Sequence, residues 1–166
     1  MNISNNGIRV LKNLEGCVLV DGRHVIYDDA TGQPVPANMP LPVGATIGYG
    51  HLIKRGENFN GGIDENRATE LLRCDVSVAE RAVRQNIVCN LTQNQFDALV
   101  IFAFNIGGAN FAASTVVKYI NDPNFISGRY PTLESAWHAW NKSRGRVIAG
   151  LNKRRDAEWK LFCGTV

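Results

Sequence analysis

From Gln93 to Asn105 the chain offers water almost no polar face: Phe96, Leu99, Val100, Ile101, Phe102 and Phe104 surround any helix drawn through it. A helix that is apolar nearly all round persists only when other elements enclose it, so this segment demands a helical body of its own. The flanking sequence supplies one. Thr92 is placed to cap the apolar helix. Asp64 caps a long helix to Asn86 whose apolar set is Leu71, Leu72, Val76, Ala79 and Val83. Ser114 starts a shorter helix to Ile120, and Thr132 another that carries Leu133, Ala136, Trp137 and Trp140. The two tryptophans, at helical spacing, are read as core. The last helix runs from about Leu151 to Phe162 and stops at Gly164. Near the start, residues 4–15 read as an amphipathic helix capped by Ser4, with Ile8, Leu11 and Leu14 on one face and Glu15 at its end before Gly16.

Residues 17–53 change character. Val18-Leu-Val20 and His24-Val-Ile-Tyr27 are short β-prone runs around Asp21-Gly22, a tight-turn signal, and Thr46–Ile53 is a further strand. Gly32 to Gly44 holds four of the six prolines, which bars a central strand or a helix and predicts a surface loop. The expectation is a single α+β domain over 1–166. A helical lobe (about 1–16 and 61–166) and a small antiparallel β-lobe (about 17–60) would have a cleft between them.

Several function classes are excluded or weakened. The longest apolar run, Ala98–Phe104, is far too short for a membrane span, which needs about 18 residues. Met1–Val10 lacks the basic start, apolar stretch and cleavage site of a secretory signal, so synthesis in a cytoplasm is expected. Net charge is +3, concentrated in the last 27 residues, where seven basic residues face Asp156 and Glu158. That excess is read as a solvated helix face rather than a nucleic-acid site. Cys17, Cys74, Cys89 and Cys163 show neither CxxC nor zinc spacing and are expected to be small buried hydrophobes. His24, His51 and His138 are scattered and no HExxH occurs, so neither metal nor cofactor is expected.

The chemistry that remains is carboxylate chemistry. Cleaving a glycosidic bond takes an acid that protonates the leaving oxygen and a second carboxylate that activates water or attacks the sugar. The acid needs a partly apolar place. Glu15 fits, following Leu14 at a helix end with uncharged Gly16 and Cys17 after it. Asp21, Asp28 and Asp29 are candidates for the partner. Asp21 before Gly22 reads as a turn residue, and spacing alone does not separate Asp28 from Asp29.

Glu15-Gly16, then Tyr27-Asp28-Asp29-Ala30-Thr31-Gly32, then Thr46-Ile47-Gly48-Tyr49-Gly50-His51, resemble the signature of phage-type lysozymes, glycoside hydrolase family 24. The similarity continues through Leu91–Leu99, Phe102–Gly107, Ser114-Thr115, Trp140 and Gly150–Glu158, in order along nearly the whole chain. The resemblance implies a lysozyme-like fold and a muramidase that hydrolyses the β-1,4 bond between N-acetylmuramic acid and N-acetylglucosamine in peptidoglycan. It implies Glu15 as general acid, Asp29 as second carboxylate and Thr46 as the residue holding the attacking water. Asn105 would line the substrate groove. A basic residue of the late helices would pair with the glutamate; Arg155 is the candidate, with Arg154 close behind. Tyr49 and His51 are expected to pack and hydrogen-bond within the small sheet. Both intervals are longer than is usual in that family: thirteen residues separate Glu15 from Asp29, and sixteen separate Asp29 from Thr46. A monomer acting on the cell wall after release, in host lysis, is the implied role. A lytic transglycosylase, needing only the acid, and a non-catalytic wall-binding module are the rival readings.

Overall fold

In the computed structural model, which describes residues 1–36 and 38–165, the capping residues sit where the helices start. Helix α1 (Asn5–Glu15) begins under Ser4, whose Oγ accepts the Gly7 N–H at 3.1 Å. It ends where Gly16, at φ +67°, gives its N–H to Lys12 O at 3.0 Å. Asp64 accepts from Arg67 N at 2.8 Å to start α2 (Glu65–Asn86). Thr92 and Gln95 exchange two hydrogen bonds, 3.3 and 2.9 Å, at the head of α3 (Gln93–Ile106). Ser114 caps α5 (Thr115–Asn121), Thr132 caps α6 (Leu133–His138), and α7 (Ala149–Phe162) follows. Between α3 and α5 lies α4 (Gly108–Ala113), which the sequence did not announce. It is short, and Gly107 before it has no side chain with which to cap.

The chain divides into two compact units. One is Met1–Val10 with Val76–Val166, the other Leu11–Asp75.

In the helical unit every residue of α3 from Phe96 to Ala103 is buried, as its apolar circumference requires, and α7 packs along it. Phe102 lies 4.7 Å from the Trp137 ring and 6.3 Å from Phe111, centroid to centroid. Trp137 is fully buried, and Trp140 is half-buried with its edge toward Phe102. Two buried acids hold the first residues in this unit. Glu80 accepts the Ile3 N–H at 2.7 Å, and Asp97 accepts Ser4 N at 2.9 Å, the Ser4 hydroxyl and Gln93 Nε2 at 2.7 Å. Gly7 packs directly on Asp97; a Cβ there would stand 2.7 Å from the Asp97 carboxyl carbon. A hairpin not foreseen from sequence, β7 (Lys142–Ser143) with β8 (Arg146–Val147), turns through Arg144 and Gly145 at φ +48° and +78°.

The other unit carries the small sheets. β1 (Leu19–Val20) and β2 (Arg23–His24) form the hairpin expected around Asp21-Gly22, both at positive φ. A four-stranded antiparallel sheet has the order β4 (Gln33–Pro34), β3 (Tyr27–Asp28), β5 (Ala45–Ile47), β6 (His51–Leu52). Pro34 sits on the edge strand, where its missing N–H costs no ladder bond. The run expected as one strand, Thr46–Ile53, is two: it folds back through Gly48 and Gly50, at φ +65° and +87°. Ile47, Ile63, Ala68 and Leu71 form the buried cluster beneath the sheet, with Ile26, Tyr49, Ile53 and Phe59 against it.

All four cysteines are exposed, which corrects the expectation that they are buried hydrophobes. Cys74 shows why periodicity misplaced it: it lies on α2 beside exposed Arg73, two residues from buried Leu72 and Val76. No helix among the described residues is long and apolar enough to cross a membrane.

Candidate active site

Glu15 is the last residue of α1 and is half-buried. Asp29 follows β3 directly and is exposed. Thr46, buried in β5, lies across the ladder from Tyr27 and donates its hydroxyl to the Tyr27 carbonyl at 3.4 Å. The hydroxyl of Tyr27 is within electrostatic reach of all of them. Burial pushes its hydroxyl above the ordinary tyrosine range; the nearby Thr46 hydroxyl pulls it back; and the charges of Asp29, Glu15 and Cys17 push it up again. The two carboxylates and the threonine hydroxyl are thus all within electrostatic reach of the Tyr27 phenol, and all belong to one compact unit.

The structure separates the two adjacent aspartates. Asp28 Oδ1 accepts the Ala30 N–H at 2.9 Å and Oδ2 accepts the Thr31 hydroxyl at 3.2 Å, while its carbonyl receives Thr31 N and Gly32 N. Asp28 therefore builds the β3–β4 turn. Asp21 occupies the β1–β2 turn. Of the three aspartates, Asp29 is the one whose charge is felt at Tyr27.

The side chains of Tyr49 and His51 bond out of the sheet, to α2 and to the segment before it. The Tyr49 hydroxyl reaches Glu65 Oε1 and Oε2 at 3.0 and 2.9 Å. His51 Nδ1 meets Asp75 at 2.8 Å and Nε2 meets Glu57 at 3.1 Å. The Lys54 N–H, helped by His51, holds Glu57 below the usual carboxylate range against its slight burial. Sequence reasoning missed Glu65 and its partners Lys12 and His24. The available signal was a charged residue, Lys12, one turn before Glu15, and a histidine inside a β-prone run.

In the helical unit Asn105 is exposed near the end of α3, and its Oδ1 accepts from Arg155 at 2.5 Å. Arg155 is fully buried, 3.1 Å from Glu158 and 5.0 Å over the Phe102 ring. Glu158 also takes Arg154 Nε at 3.2 Å and the Trp137 indole N–H at 2.9 Å. Burial pushes Glu158 above the usual carboxylate range and Arg155 below the usual guanidinium range, each opposed by the charge of the other. An apolar concavity of about 380 Å³ in the β unit, lined by Val20, Arg23, Ile26, Val35 and Phe59 among others, includes none of Glu15, Asp29 or Thr46.

A family model described as phage lysozyme matches residues 13–158, a span that contains every one of these side chains except Lys12. The chain belongs to the phage lysozyme family. Among its relatives, the endolysin of Bacillus phage B103 is 38% identical over 98% of this chain. The endolysin of Salmonella phage P22 is 36% identical, covering 98% of each chain. The muramidase domain of SpmX from Asticaccaulis excentricus has a solved structure that superposes with TM-score 0.71 at 32% identity, covering 97% of each chain. This lysozyme-family chain spans 54% of the length of the B103 endolysin. The α+β fold of helices and small antiparallel sheets is the lysozyme-like one.

Proposed function

We propose that this chain is a muramidase that hydrolyses the β-1,4 bond between N-acetylmuramic acid and N-acetylglucosamine in peptidoglycan. The observation that carries the reading is that Glu15, Asp29 and Thr46 belong to one compact unit, with Thr46 bonded to the carbonyl of Tyr27 two residues before Asp29, within the span that matches the phage lysozyme family. The relatives named as endolysins and as a muramidase domain support the same substrate class.

In this reading Glu15 protonates the leaving oxygen, while the Asp29 carboxylate and Thr46 hydroxyl hold a water for attack from the opposite face, inverting the sugar centre. A hydroxyl suits that post, since it accepts from the water while donating elsewhere, here to the Tyr27 carbonyl. Asn105 contributes a sugar contact. Because Arg155 occupies its Oδ1, the amide N–H groups are left to meet a sugar oxygen. The enzyme acts as a monomer, is made in the host cytoplasm and reaches the wall after release, and uses no cofactor.

Mass spectrometry of purified peptidoglycan after digestion tests the proposal. New reducing ends on muramic acid are expected, lost in Glu15→Gln. Anhydro ends would convert the reading to a lytic transglycosylase. Absence of fragments would leave a wall-binding module.

A further inference from the structure

Resting on the muramidase reading, we propose that Glu65 is a positioning residue for the reaction: it ties the turn of α1 that carries Glu15 to the strands that carry Thr46. Three separate segments meet on its carboxylate. Lys12 Nζ of α1 reaches Oε1 at 2.6 Å, His24 Nε2 of β2 reaches Oε2 at 2.8 Å, and the Tyr49 hydroxyl, from the bend between β5 and β6, touches both oxygens. Lys12 is fixed a second time by Thr69 Oγ1 at 2.6 Å, and that hydroxyl donates back to the Glu65 carbonyl at 2.7 Å. The Lys12 ammonium also lies 5.2 Å over the Tyr49 ring, and His24 stands edge-on to the same ring at 5.1 Å.

The reach of this network to Glu15 is short. Lys12 is three residues before Glu15, on the neighbouring helical position, and its carbonyl accepts the Gly16 N–H that ends the helix. Tyr49 is three residues after Thr46, across the Gly48 bend. Glu65 thus fixes both approaches to the site from one point, without belonging to it. Its own chemistry keeps it out of the reaction. Burial acts to raise its carboxyl, but hydrogen bonds from Lys12, His24 and Tyr49 outweigh that and hold it down at about 2, so it stays an anion. The groups facing it are Lys12 from α1, His24 from β2, Tyr49 from the bend, Thr69 from α2, and Cys17, whose thiol burial and the Glu65 charge push up.

A small error in the placement of an acid costs turnover rather than binding. Glu65→Gln keeps shape but strands the Lys12 ammonium beside Glu15. The expected result is kcat lower by roughly tenfold or more with KM within about twofold. The uncompensated ammonium should also shift the alkaline limb of the kcat profile to lower pH, which a merely structural contact would not do. Lys12→Met, a second variant should the first fold poorly, is expected to lose kcat similarly while moving that limb the opposite way, to higher pH, because it leaves the Glu65 anion uncompensated. The double variant should lose no more than the worse single one, because both act through one contact. Wild-type kcat in Glu65→Gln, a change in KM alone, or losses that multiply in the double variant would overturn the proposal. A wild-type protein that releases no glycan fragments would instead remove the muramidase reading beneath it.

Discussion

Asp28 and Asp29 are chemically identical neighbours, and only their hydrogen bonds tell them apart. Asp28 spends both oxygens on Ala30 and Thr31; Asp29 projects from the strand end with its charge felt at Tyr27. Asp28→Asn keeps an acceptor for the turn and should leave kcat within about threefold, whereas Asp29→Asn should lower it by about 10²–10⁴-fold. Steady-state kinetics on soluble glycan fragments checks both, and equal losses would contradict the assignment. The position of Glu15 was legible in sequence because a helix end before glycine has a local signature. The choice between Asp28 and Asp29 was not legible from spacing, since it depends on which carboxylate closes a turn. Glu65 was less legible still: its partners come from positions 12, 24, 49 and 69, and no local pattern links residues so far apart.

Helices were readable wherever a polar cap precedes an apolar period, as at Thr92, Ser114 and Thr132. Where glycine stands in the cap position, as before α4, or where an Arg-Gly turn replaces Asn-Gly, as between β7 and β8, the signal disappears. The contact between α6 and α7 is equally silent in sequence. It is a buried ion cluster in which Glu158 serves Arg154, Arg155 and the Trp137 indole. Removing one partner of such a cluster leaves uncompensated charge, so Glu158→Ala should lower unfolding free energy by roughly 3–5 kcal/mol. Glu134→Ala, exposed on α6, should change it by no more than about 0.5 kcal/mol. In α1, Gly7→Ala places a methyl against the locked Asp97 carboxyl and should cost about 1–3 kcal/mol by overpacking, against the usual helix preference for alanine. Urea denaturation followed by circular dichroism measures all three.

For the molecule as a whole, acid stability should carry the mark of Glu65. Its carboxyl titrates near 2 in the folded protein, below its ordinary 4.5, so folding favours the ionised form. That contribution is complete above about pH 4.5 and drains away as pH falls toward 2. The stability gap between the wild type and Glu65→Gln, measured by urea unfolding across this range, should therefore close on acidification; a gap independent of pH would contradict it. A different consequence follows from the acids that grip Ile3 and Ser4. Glu80 and Asp97 are synthesised long after the residues they hold, with all of residues 11–75 in between. Until that loop closes, the opening decapeptide has no place to dock and two acids of the helical body lack the backbone N–H groups of Ile3 and Ser4. Assembly of that body must therefore await a long-range ring closure, however quickly its individual helices form.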